Sequence, residues 1–137
     1  MAASESYPED LKYHPEHDWA RVVEGDEAGS VEAVLGVTWF AQDALGELVH
    51  FEAPDEGTTT SKDAAYGEVE SVKAVSDVIA PLSGEIVEVN QKVVDAPETV
   101  NEDPYGEGWL VRIRLSDPAE VETLLDVATY RQHLENQ

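Results

Sequence analysis

The chain has 137 residues, 42% of them hydrophobic, with 30 acidic against 8 basic side chains, a formal net charge of −22 and no cysteine. That length and apolar content suit one globular domain with a modest core, and no apolar run approaches the roughly 20 residues that span a bilayer. The charge repels phosphate backbones and anionic lipids, so nucleic acid and membrane surfaces are poor partners, and the missing thiols exclude disulfides, thiolate catalysis, zinc ribbons and iron–sulfur ligation.

Residues 1–10, "MAASESYPED", are acidic and polar, unlike a secretory or Arg-rich transit leader. They are expected as a flexible tail ahead of a single domain over 11–137, in a cytoplasmic, monomeric protein. Valine-rich and aromatic segments then predict strands over 19–25, 30–38, 47–53, 67–72, 84–89 and 109–115. Alternation is strict in the last, where Arg112 and Arg114 separate Val111, Ile113 and Leu115. Between the strands, "TWFAQDALG" predicts a helix with Thr38 as N-cap and Gly46 as stop. "DPAEVETLLD" predicts another, capped by Asp117 with Pro118 at its first position. "TYRQHLE" predicts a third, with Thr129 as cap. Many short strands with turn signals make the chain mainly β, a sandwich or barrel-like core. "GEVESVK" (67–73) and "GEIVEVN" (84–90) share one Gly-Glu-aliphatic pattern, which suggests matching strands in a quasi-symmetric pair of sheets.

Most candidate chemistry fails on spacing. "HPEHD" (14–18) has the composition of a metal cluster but precedes a strand and lacks helical ligand spacing. Ser71 and Lys73 have no nucleophile elbow or oxyanion-type loop around them, and no phosphate-binding glycine loop occurs. A stand-alone enzyme is therefore not expected. The acids are spread along the chain and read first as a solvated surface. A sharper reading is adaptation to a salt-rich cytoplasm, where self-repulsion is screened.

Lys73 is different. The chain has only four lysines, Lys12, Lys62, Lys73 and Lys92, and Val72 and Ala74 flank this one. An unshielded amine at a tight strand–turn–strand is what an enzyme needs to acylate one lysine and ignore the rest.

The stretch "ESVKAVSDVIAPLSGEIVEVN" (70–90) resembles the lipoyl-attachment segment of glycine cleavage system H proteins. "LKYHPEHDWARV", "GVTWFAQDALGELVHFEAPDEGT" and "DAPETVNEDPYGEGWLVRIRLSDPAEVETLL" continue the likeness from about residue 11 to 134. The resemblance implies a flattened, lipoyl-domain-like barrel-sandwich hybrid with short helices and a C-terminal helix. It implies a carrier, not a catalyst, with lipoate joined to Lys73 as N6-lipoyllysine. Its implied partners are a pyridoxal-phosphate-dependent glycine decarboxylase, a tetrahydrofolate-dependent aminomethyltransferase, an FAD-containing dihydrolipoyl dehydrogenase and a lipoylating enzyme. Glu70 and Gly84 match family positions tied to recognition by that last enzyme. Glu16, Asp18 and Asp77 match positions that contact the aminomethyl arm when it folds into a protecting cleft. Two departures stand out: Asp18 replaces the commoner glutamate, one methylene longer, and Phe40 replaces a polar residue or histidine.

Biotinyl domains usually flank the lysine with methionine, and 2-oxoacid dehydrogenase lipoyl domains put aspartate before it; this chain does neither. Two alternatives stay open: a lipoyl donor or relay for other carriers, and a non-lipoylated, H-like acidic interaction module.

Overall fold

A computed structural model describes residues 3–25 and 29–136. The strands are β1 (Lys12–His14), β2 (Asp18–Glu24), β3 (Val31–Val37), β4 (Leu48–Glu52), β5 (Thr59–Thr60), β6 (Ala65–Ser71), β7 (Val75–Ile79), β8 (Gly84–Val89) and β9 (Val111–Leu115). The helices are α1 (Trp39–Leu45), α2 (Gln91–Asp95), α3 (Thr99–Glu102) and α4 (Val127–Glu135), with a 3-10 segment over Pro118–Thr123. Six strands form one sheet in the order β1-β2-β3-β9-β8-β5, and three form a second in the order β4-β6-β7. Every pairing is antiparallel.

The two sheets bury their inner faces against each other. Leu35, Ile86, Val111 and Ile113 from the six-stranded sheet meet Leu48, Phe51, Val69 and Val78 from the three-stranded one in a single apolar cluster. The alternation of β9 decides its orientation. Val111, Ile113 and Leu115 turn inward, while Arg112 and Arg114 turn out to Glu32 and Glu85. The two similar strands, β6 and β8, fall in different sheets; the first runs into the Lys73 turn, and the second is followed by Asn90, which caps α2.

A second cluster is aromatic and lies against α4. The Tyr130 ring stacks on Tyr13 at 4.6 Å with planes 7° apart, and Tyr7 meets it edge-on at 5.6 Å. The Tyr130 hydroxyl sits 2.8 Å from both Thr38 Oγ1 and His17 Nδ1. Residues 3–8 pack against this cluster and against Trp39 and Tyr105. Tyr7 is buried, Trp39 Nε1 donates to the Ala3 carbonyl at 2.8 Å, and the Tyr105 hydroxyl donates to Ser6 O at 2.7 Å. Tyrosines and tryptophan supply both an apolar body and a polar tip, which is enough to dock so polar a segment.

Other local expectations shift. Thr38 caps α1 and Gly46 ends it, as the sequence predicts. The segment after Asp117 is 3-10, not α, and stops at Leu124 in extended backbone. The cap of α4 is Asp126, whose carboxylate accepts the Thr129 N–H at 2.8 Å, so Thr129 lies inside the first turn. An aspartate three residues ahead of the N–H is the stronger cap. The short helices α2 and α3 and strands β1 and β5 were not predicted, and β7 was expected only as the second arm of the strand–turn–strand at Lys73.

Candidate functional site

The β6–β7 hairpin presents Lys73. The Ser71 N–H donates to Ala74 O at 2.8 Å, closing a four-residue turn with Val72 and Lys73 at its tip. Ser71 is buried, and its hydroxyl oxygen accepts the N–H of Lys73 at 3.3 Å and of Ala74 at 3.1 Å. One serine thus ties down the turn from below while Val72 (80% exposed) and Lys73 stand in solvent. The arrangement offers an accessible amine on a fixed base.

The lysine stem lies over Gly46, at the end of α1. A Cβ placed on Gly46 would sit 3.5 Å from Lys73 Cε, and the glycine's φ of +86° is one that side chains disfavour. A hollow of about 320 Å³ opens beside Gly46, with Asp43, Glu47, Glu98 and Glu102 on its walls. Asn101 holds this junction together. Its Nδ2 donates to Gln42 Oε1 (3.0 Å) and Gly46 O (2.9 Å), and its Oδ1 accepts the buried Leu48 N–H at 2.9 Å.

A second cleft, of about 400 Å³, runs along β7 directly after the lysine turn. Glu16, Asp63, Val75, Ser76, Asp77 and Ile79 line it. Two of the three residues expected to contact a cationic arm, Glu16 and Asp77, are thereby brought together. The third, Asp18, is buried beside the cleft and is not on its wall. The Ile79 backbone N–H donates to its carboxylate, yet burial drives its pKa well above the usual carboxylate range, with the Glu16 charge adding to the rise.

One lining residue that the sequence reading did not mark, Asp63, is paired with His14 behind the cleft wall. His14 is buried, with Nε2 2.6 Å from Asp63 Oδ1 and Nδ1 accepting the Glu16 N–H at 3.0 Å. That second bond leaves the proton on Nε2, so the ring donates to Asp63 and fixes both cleft walls. The His14 bond holds the Asp63 carboxyl below its ordinary range. Asp63 has φ +73°, a local conformation that composition does not announce. His14 and His17 are engaged with different partners, Asp63 and Tyr130. Among the described residues no group of three His, Asp or Glu side chains is placed to hold a metal ion. Phe40 packs on the His17 ring at 4.5 Å.

Of the two positions expected to guide lipoylation, Glu70 is exposed on β6, directly opposite Val75 and next to the turn. Gly84 lies in the other sheet, paired with Leu115 and Thr60. A Cβ there would stand 2.2 Å from the Arg114 carbonyl oxygen, a packing reason for glycine that is independent of any partner.

A sequence model of the family described as Glycine cleavage H-protein matches residues 11–137. A glycine cleavage system H protein of Anaeromyxobacter sp. (strain K) is 50% identical over 130 residues, covering 95% of this chain and 97% of that protein. One from Symbiobacterium thermophilum is 50% identical over 123 residues, covering 90% and 91%. A crystal structure of a glycine cleavage system H protein from Mycobacterium marinum superposes with a TM-score of 0.84 at 40% identity, covering 94% of this chain and 99% of that one. No helix among the described residues is long and apolar enough to cross a membrane.

Proposed function

This chain belongs to the glycine cleavage H-protein family, and from that premise we propose that it is a lipoyl carrier whose attachment site is Lys73. The observation that carries the reading is the exposed amine on the rigid Ser71–Ala74 turn, with a cleft beginning two residues later at Val75. The residues fit the group: nothing bulky shields the amine, and carboxylates wait within the reach of a long arm.

Attachment asks little of the protein beyond presentation. The Lys73 amine attacks an activated lipoyl carbonyl, the C–N bond forms as the activating group leaves, and the nitrogen gives up its proton. Glu70, exposed beside the turn, guides the lipoylating enzyme to this lysine, and Gly84 supports the same recognition. Lipoate held on Lys73 would supply the sulfur chemistry that the cysteine-free chain lacks, and the partners this reading implies are a pyridoxal-phosphate-dependent glycine decarboxylase, a tetrahydrofolate-dependent aminomethyltransferase and an FAD-containing dihydrolipoyl dehydrogenase. Glu16 and Asp77 hold the cationic amine by charge-assisted contacts of the kind that shorten and strengthen hydrogen bonds. Asp18 orders the Ile79 wall from beneath. The protein is a shared cosubstrate in the cytoplasm and catalyses no step by itself.

Intact mass and peptide mapping of the protein from its own cell test this. A lipoyl-sized addition confined to Lys73 and absent in Lys73→Arg is the expected result. An unmodified Lys73 in cells that lipoylate other proteins would sink the carrier reading and favour an acidic interaction module.

A further inference from the structure

Strict alternation along β6 would turn Tyr66 away from the core. Val69 and Ser71 face inward, while Glu68 and Glu70 face out, where Glu68 lies abreast of Glu52 and Asp77 in a row of carboxylates across β4, β6 and β7. Counting back by twos puts Gly67 on the inner face and Tyr66 on the outer one. Tyr66 is nevertheless inside, 8% exposed, among the apolar side chains between the two sheets. The register shows how. Ala65 pairs with Ile79 and Gly67 with Val78, so Tyr66 is an extra residue, a bulge in the ladder. Bulges re-aim side chains and are frequent beside functional sites. This one carries a phenol inward, and its buried hydroxyl has no hydrogen-bond partner among the described residues. A buried hydroxyl left unpaired is a cost that a phenylalanine ring would avoid.

The bulge lies under the cleft that follows the lysine turn. Ile79, whose ladder partner Ala65 precedes the bulge, forms part of the cleft wall, and its N–H donates to the Asp18 carboxyl beneath. Asp18 is 2% exposed and close enough for its charge to bear on the Tyr66 hydroxyl. Other groups face Asp18 from the elements around it. Glu16, in the turn before β2, brings a second negative charge near it, and α4 presents the Tyr130 phenol. His14 lies directly across on β1, with its Nε2 committed to Asp63. His17, the preceding residue, directs Nδ1 to the Tyr130 hydroxyl, and Val37, opposite on β3, is apolar. One backbone donor beside a neighbouring carboxylate does not compensate a buried anion, so Asp18 keeps its proton in the unloaded carrier.

We propose that Tyr66 is a positioning residue for the loaded arm: as the arm's ammonium seats between Glu16 and Asp77, Asp18 releases its proton to solvent and the Tyr66 hydroxyl donates to the carboxylate that forms. The inference rests on reading Lys73 as the lipoylated residue. A cation beside Glu16 cancels the charge that opposes ionisation of Asp18 and attracts the new anion from above. Within about 4–6 Å such a cation lowers a carboxyl pKa by about 1–3 units. The step balances: one O–H bond breaks at Asp18, water takes the proton, and the carboxylate gains a hydrogen bond from a phenol that had none. Burial and the Asp18 charge push the phenol's own pKa well above its ordinary value, so Tyr66 keeps its proton and stays a donor throughout. Seating of the arm is thereby linked to pH. It tightens as pH rises from the loaded toward the unloaded titration midpoint of Asp18.

The test uses the full-length protein with lipoyl on Lys73, placed there by mass analysis, and the same protein loaded from glycine by the decarboxylase. Carboxyl carbon-13 resonances follow Asp18, whose signal is assigned by its loss in Asp18→Asn. The expected midpoint is about 1–2 units lower in the loaded protein than in the unloaded one. The Tyr66 ring-carbon resonance beside the hydroxyl moves on loading, which needs no substitution to be seen. Tyr66→Phe then removes the hydroxyl and keeps the ring. Its unloaded form melts level with or above the natural protein. Its loaded Asp18 midpoint rises by about one unit, and the aminomethyl adduct is lost about tenfold faster at pH 7. A lower melting temperature with both of those readouts unchanged would mean that Tyr66 is only a packing residue, and the proposal is overturned. An Asp18 midpoint that ignores loading, or a Tyr66 resonance that does not move, overturns it as well, while the carrier reading stands because lipoyl and cargo have been weighed. Absence of lipoyl at Lys73, read from the mass before any titration, would remove the carrier reading and this proposal together.

Discussion

Gly84→Ala separates a packing role from a recognition role at a residue where both have been argued. The new Cβ would stand 2.2 Å from the Arg114 carbonyl oxygen, 3.0 Å from its carbonyl carbon and 3.3 Å from Leu115 Cα. All three are backbone atoms, so no side-chain rotation relieves the clash. Reaching even the 3.0 Å below which real Cβ contacts are essentially never seen needs β8 and β9 to part by about 0.8 Å. Overpacking of this kind costs about 1–3 kcal/mol. The bonds nearest the shift are Thr60 Oγ1 to Gly84 O at 3.2 Å and Ser116 N–H to Ser83 O at 3.1 Å. Weakening one of them adds roughly 1 kcal/mol, for a total of about 2–4 kcal/mol and a melting temperature lower by on the order of 10 °C. Calorimetry of the natural and Gly84→Ala proteins measures this. Lipoylation rates taken well below both transitions then isolate recognition. A melting temperature within about 2 °C of the natural protein would refute the packing argument. A slowed lipoylation with an intact fold would place Gly84 in direct contact with the modifying enzyme.

Two further outcomes concern the ground beneath the lysine. Asp18 holds its proton more tightly folded than unfolded, because its pKa is raised by burial, so its contribution to stability is lost as pH rises through the folded value. Asp18→Asn keeps an acceptor for the Ile79 N–H without the buried charge, so its advantage over the natural protein in melting temperature is largest at pH 8 and shrinks toward pH 4; an advantage that grows on acidification would contradict the assignment. Asn101→Ala strips the Leu48 N–H of its acceptor and frees Gln42 and Gly46, which costs about 1–3 kcal/mol. Urea unfolding measures that loss, and a midpoint equal to that of the natural protein would mean the α1–β4 junction is held by something else.

How much of this was legible in the sequence depends on the range over which each signal acts. The alternation of β9, the Thr38 and Gly46 boundaries of α1, and the glycine-led strand before Lys73 are local patterns, and the structure keeps them. The helices α2 and α3 span five and four residues, too short for a helical period to register. Tyr7 read as part of a polar tail because its partner, Tyr130, lies at the far end of the chain. The carboxylate row of Glu52, Glu68 and Asp77 exists only once strand register is known, since a slip of one residue would send each to the opposite face. At the site, Lys73, Glu16 and Asp77 were marked by the motifs that surround them. Asp63 was not, nor was its pairing with His14, which joins the end of β1 to a turn 49 positions on.

The strand order has a consequence for how the protein is made. The lysine hairpin and its sheet use residues 48–79 and are complete halfway through synthesis. The sheet beneath them is not, for β9 is the last strand to leave the ribosome and yet lies in the interior of its sheet, between β3 and β8. Until it arrives, Leu35, Ile86 and the inner side of Phe51 lack the Val111 and Ile113 surface that completes their cluster. Non-local closure of this sort is slow and leaves apolar surface uncovered while it is pending. A nascent chain halted between residues 80 and 110 would display the Lys73 turn on a sheet whose inner face is still uncovered.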